Sequence, residues 1–149
     1  MAQLSETVAA CPIPTREDIT RLQVAMSALQ QVEVPTKHHF IPGVYAREMF
    51  VAAGTTIIGA VHKAEHFFLL TAGTMVLTGD GIAPRRVSAP FFAISHPGVK
   101  RAGHAETDCT VLTFHRTDET DVEKIRAELT EPDVLSLFDG HNRPKLVAA

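Results

Sequence analysis

Tryptophan is absent from this 149-residue chain, tyrosine occurs once and cysteine twice. The two thiols, Cys11 and Cys109, form no C-x-x-C pair and no disulfide framework, so a small stapled scaffold is excluded and a reducing cytoplasm is the expected compartment. Basic residues are scarce as well: 14 Lys and Arg stand against 17 Asp and Glu, a formal charge of −3. Without a basic stripe, a nucleic-acid partner has no electrostatic footing. Apolar runs stay below half the length of a membrane span, and the first 30 residues lack a basic start followed by an apolar block. Neither membrane insertion nor export is therefore expected. Missing too are a G-x-S-x-G elbow, a phosphate loop and a dinucleotide fingerprint, which leaves no nucleotide cofactor implied.

Histidine, by contrast, is plentiful: eight residues, six of them between His38 and His104. The chemistry should be sought there, because imidazole is both a common metal ligand and the side chain that titrates nearest neutral pH.

The length suits one domain over 1–149 with a core of its own. Residues 1–14 contain Pro12 and Pro14 without any period and read as an extended tail. Thr15-Arg16-Glu17-Asp18 has the form of an N-cap with an acidic first turn, and Ile19, Leu22, Met26 and Leu29 recur at helical spacing, predicting a helix over 15–31. Its apolar stripe would pack on a sheet or on a partner chain. From Pro35 the pattern changes to short apolar or alternating runs punctuated by Gly, Pro and Asp. Runs at 44–51, 55–62, 67–71, 74–78, 85–88, 91–95, 101–105 and 109–115 predict a barrel over 44–116 with the strand number of a jelly roll. His38-His39-Phe40, ahead of it, reads as a solvated loop that could cross its mouth. Thr120-Asp121-Val122-Glu123 has the form of a capping box for a second helix that Pro132 stops, and 133–138 can add a turn, so 120–139 is a C-terminal helical segment. A polar tail follows from Gly140.

The stretch Gly59-Ala60-Val61-His62-Lys63-Ala64-Glu65-His66, continuing to Gly73, resembles the first motif of the cupin superfamily, G-x5-H-x-H-x3,4-E-x6-G. Counting back from Gly73 puts His66 at the family's glutamate and His62 at its second histidine, with Ala60 in place of the first. The second motif, G-x5-P-x-G-x2-H-x3-N, is partly matched by the segment from Ser95 to His104, where Arg101 occupies the last ligand position. The closing stretch Val111 to His115 is also similar to small cupins encoded by bacteriophages. What the resemblance implies is an all-β, cupin-type jelly-roll barrel with an N-terminal helix and short C-terminal helices. It also implies a metal site near His62 and His66 and pairing of chains into a homodimer or larger assembly.

Strand geometry points to the same two residues. Residues two apart share a face, so Ile58, Ala60 and His62 form one row and His66, Phe68 and Leu70 another. Two imidazoles meeting among apolar side chains would suit Zn, Fe, Ni, Cu or Mn, completed by a third ligand or water. His104, His96, His115 and Glu65 are candidates for that third position. If Arg101 points inward, His104 points outward, while His115, in a row with Val111 and Thr113, could face in. Lys100 and Arg101 beside such a cavity would suit a small anionic ligand, because the guanidinium fork grips carboxylate or phosphate through two donors. Only one of them can point inward. Tyr45 and Arg47, in a row with Met49, could line a cavity or cover the sheet exterior, and His96 is a further ligand-binding candidate. Cys109 reads as core. Three functions fit: an anion-binding cupin with a two-histidine metal site, a metal-free protein that sequesters a ligand, and a structural jelly-roll component of a phage particle or other assembly, which would then be virion-associated.

Overall fold

The computed structural model describes residues 4–7, 11–133 and 135–145. In chain order the elements are β1 (Leu4–Thr7), α1 (Arg16–Ser27), β2 (Thr36–Ile41), β3 (Val44–Val51), β4 (Thr56–Ile58), β5 (His66–Ala72) and β6 (Thr74–Gly79). They continue with β7 (Ile82–Ser88), β8 (Phe91–Ser95), β9 (Arg101–Ala105), β10 (Cys109–Arg116) and α2 (Val122–Leu129). Two antiparallel five-stranded sheets result, in the orders β1-β7-β6-β9-β4 and β2-β3-β10-β5-β8.

Burial along β10 alternates: Cys109, Val111, Thr113 and His115 are buried, and the residues between them are not. Because a strand repeats every two residues, the inward rows of neighbouring strands align into layers. Across β3, Cys109 faces Val51, Val111 faces Met49, Thr113 faces Arg47 and His115 faces Tyr45. Leu70 and Phe68 of β5 face Val111 and Thr113 from the other flank, and Ser95 of β8 faces His66. At one end Val51, Leu70, Cys109 and Val111 pack with Met75, Val87 and Ala105 of the opposite sheet into the core. Toward the other end the same rows turn polar.

Helix α1 starts as predicted. Thr15 Oγ1 accepts from the Asp18 amide at 3.2 Å and the Asp18 carboxylate accepts from the Thr15 amide at 2.8 Å, a reciprocal capping box. It ends at Ser27 rather than near residue 31, because the Gln31 side-chain amide donates to the carbonyls of Met26 and Leu29 and satisfies groups a longer helix would have used. Helix α2 is capped by Asp121, which accepts from the Lys124 amide, not by Thr120. The Thr120 and Asp121 amides instead donate to Glu119 Oε1. Beyond it, Asp133 Oδ1 accepts from the Leu135 amide at 2.9 Å, a turn that replaces the helical extension predicted over 133–138.

Strands also occur outside the predicted barrel limits of 44–116. Backbone pairing of β1 with β7 lies within the segment read as an extended tail. The stretch read as a loop, His38-His39-Phe40, belongs to β2, which pairs with β3 across a Pro42-Gly43 turn. Gly43 takes φ +79°, a conformation that side-chain-bearing residues rarely adopt. The run predicted over 55–62 is a strand only to Ile58. Among the described residues no helix is long and apolar enough to cross a membrane.

Candidate metal and ligand site

Three histidines converge at the polar end. His66 opens β5 and His115 lies near the end of β10, both pointing inward and nearly inaccessible. His62 sits in the link between β4 and β5, where a bridge to Thr130 ties it to the chain leaving α2. The Gly98 amide donates to the His62 carbonyl at 3.0 Å, which fixes the link from the other side. Ring centroids are 4.2 Å apart for His62 and His66, 4.7 Å for His66 and His115, and 5.1 Å for His62 and His115. One nitrogen from each ring lies within 4.8 Å of the others.

Hydrogen bonding leaves lone pairs available. A carbonyl only accepts, so His62 Nδ1, 3.1 Å from the Ala60 oxygen, carries the proton and leaves Nε2 unprotonated. His115 Nε2 lies 2.9 Å from Thr113 Oγ1. His66 Nδ1 is buried near the Ala64 backbone without a well-formed hydrogen bond. Burial pushes all three rings below their ordinary titration range: His62 to about 3, helped by the His66 ring; His115 to about 3, helped by His66 and His62; and His66 to about 4, helped by Arg101. They are neutral at pH 7. Three neutral imidazoles converging on one patch fit a divalent first-row metal ion.

Tyr45 is buried beside His115, the rings stacked with centroids 5.7 Å apart. Its hydroxyl lies 2.6 Å from His38 Nδ1, and His38 Nε2 is in turn 3.1 Å from His141 Nδ1. Arg47 lies in the next layer, and its Nε is buried with no partner. Arg101 points into the same space, donates from Nη2 to the His96 carbonyl at 3.2 Å, and lowers the titration of both His62 and His66. Tyr45, Arg47 and Arg101 line, with the three histidines, one cavity of about 1410 Å³.

Other candidates lie apart from the triad. His104 occupies the outward face of β9, exposed, with Nδ1 2.7 Å from Thr56 Oγ1. His96 is exposed and lines the rim, where its Nδ1 pairs with Glu65 Oε1 at 3.0 Å, so Glu65 is directed away from the imidazole cluster. Lys100 precedes β9 with the opposite parity to Arg101. It is buried, does not line the cavity, and its backbone is bonded to Asp80. Of the two faces open to Tyr45 and Arg47, both residues take the one that lines the cavity. His38 lies in the stretch that reads as a loop able to cross the barrel's mouth, whereas His141 falls in the polar tail, where spacing gives no sign of its contact with His38.

No family model and no curated protein matches the chain. Solved structures do. KdgF from Halomonas sp. is 18% identical over 62% of this chain and 86% of its own, with a TM-score of 0.51. A salicylate 1,2-dioxygenase from Pseudaminobacter salicylatoxidans is 12% identical over 66% of this chain, with a TM-score of 0.51, and the match spans 32% of the dioxygenase. Protein NMB1881 from Neisseria meningitidis is 10% identical over 64% of this chain and 96% of its own, with a TM-score of 0.50. These likenesses show the fold, an all-β jelly roll.

Proposed function

We propose that this protein binds a small anionic molecule in its cavity beside a divalent metal ion held by His62, His66 and His115. The convergence of three neutral imidazoles, one nitrogen of each within 4.8 Å of the others, carries the reading, since neutral histidines grouped in this way are a ligand set for such an ion. The chain's own residues prepare the site. Burial keeps the imidazoles unprotonated at neutral pH, so a metal need displace no proton from them. The Ala60 carbonyl orients His62, and Thr113 orients His115. Arg47 and Arg101 set positive charge around the triad, which favours an anionic ligand. A bound metal would supply Lewis acidity, polarising an oxygen of that ligand.

Metal content of untagged protein, measured by mass spectrometry after chelation and reloading with Zn, Fe(II), Ni, Cu or Mn, tests the proposal. About one equivalent per chain is expected, lost in His66→Ala and His115→Ala while the circular dichroism spectrum is retained. Uptake that is negligible for every metal, or equal in the variants, overturns it.

A further inference from the structure

Away from the triad, the interior is apolar and incompletely filled. Met49, Phe68 and Ala93 from one sheet and Ile57 and Leu77 from the other pack against the core yet are only partly buried. Protein interiors are close-packed, so inward apolar side chains stay accessible only where the space before them is not filled by the chain itself. These residues and the three histidines line the same cavity of about 1410 Å³, far more room than a small inorganic anion occupies.

Arg47 stands where the two regions meet. Along β3 it lies between Tyr45, which faces His115, and Met49, which faces Val111. Its Nε is buried and without a partner. The carboxylates that act on it, Asp139 and Glu123, are engaged elsewhere: Asp139 with Arg143 at 3.1 Å, and Glu123 with the Gly140 amide at 2.7 Å. The guanidinium is hydrogen-bonded to Tyr45, but its buried Nε is left over, which is costly, and a planar anion held side-on would satisfy it.

We infer that the cavity holds a monocarboxylic acid with an extended apolar tail, its carboxylate gripped by Arg47 beside the triad and its tail lying among Met49, Phe68, Leu77 and Ala93. This rests on the anion-binding function proposed above and gives the anion a chemical class.

Calorimetric titration of the untagged full chain, zinc-loaded and chelated, with acetate, hexanoate, octanoate, decanoate and decanol tests it. Saturable one-to-one binding is expected, tightening about fourfold per added methylene, with decanol weaker than decanoate by about tenfold or more. Arg47→Met should abolish the preference for decanoate over decanol while still binding decanol, which also verifies that the variant is folded. Ala93→Leu, which fills part of the tail region, should weaken decanoate more than hexanoate. Acetate binding as tightly as decanoate, unsaturable uptake, or an unchanged preference in Arg47→Met overturns the inference. Metal content measured on the same samples separates the two readings: metal without carboxylate binding overturns this one alone, and Arg47-dependent decanoate binding without metal overturns only the metal centre.

Discussion

Cys109 and Val111 at one end of β10 belong to the packed core, whereas Thr113 and His115, further along the same inward row, belong to the histidine site. Backbone geometry and orientation are shared, so the difference lies in the side chains and in what they cost. At the first end, Val51, Leu70, Met75 and Val87 are almost wholly removed from water and stabilise the fold through apolar burial. At the second, three imidazoles and a guanidinium are desolvated with few hydrogen-bond partners, which lowers stability. A chain that keeps such groups inside, where apolar side chains of similar size would pack better, retains them for something other than folding.

The largest effect that could break this contrast is on pH dependence in metal-free protein. His62, His66 and His115 titrate far lower folded than the 6.5 of an unperturbed ring. Below pH 6.5 the unfolded chain therefore takes up protons that the folded chain refuses. Stability should be complete above pH 6.5 and fall as the pH drops toward 4, each ring contributing up to about 1.4 kcal/mol per pH unit. Denaturant unfolding between pH 7.5 and 4.5 measures this, and replacing all three by Gln should flatten the profile. An equally steep profile in that variant would mean that the histidine end is not the desolvated one.

Next in size is Leu70→Ala at the packed end, expected to cost about 3 kcal/mol of unfolding free energy while metal uptake per folded molecule stays at the wild-type level. Loss of metal affinity in that variant would show that the two ends are not independent. Thr113→Val keeps the shape and removes the hydroxyl beside His115 Nε2. Metal affinity, read by chelator competition, should fall about 10- to 100-fold with little change in unfolding. The smallest effect is expected for Asp121→Ala, which removes the α2 cap and should cost about 1 kcal/mol. Because Thr130 after α2 bridges to His62, this variant should also shift the His62 ring resonances, whereas Thr15→Ala, uncapping α1, should leave them in place.

Much of the fold is legible in the residues because strand burial has period two: β3, β8, β9 and β10 are visible as runs before any pairing is known. The second strand was hidden for the opposite reason. Lys37, His38 and His39 break the apolar signal, and only pairing with β3 supplies a use for their backbone groups. His62 and His66 stand close in the chain and so could be singled out together. Parity from Arg101 turned His104 outward and allowed His115 inward, but the meeting of His115 with His66 depends on the register of β10 against β5, strands far apart in sequence.

By itself the sequence determined the alternating strands, the first helix cap, and the concentration of histidine around one motif, all of which are local properties of spacing and side-chain type. Tertiary structure alone decided that three rings converge, that Tyr45 and Arg47 face the interior, and that Arg47 Nε lies buried without a partner beside partly buried apolar walls. The reason is physical: those outcomes depend on which strand lies beside which, and on the space left when two sheets close, and both are set by packing of the whole chain.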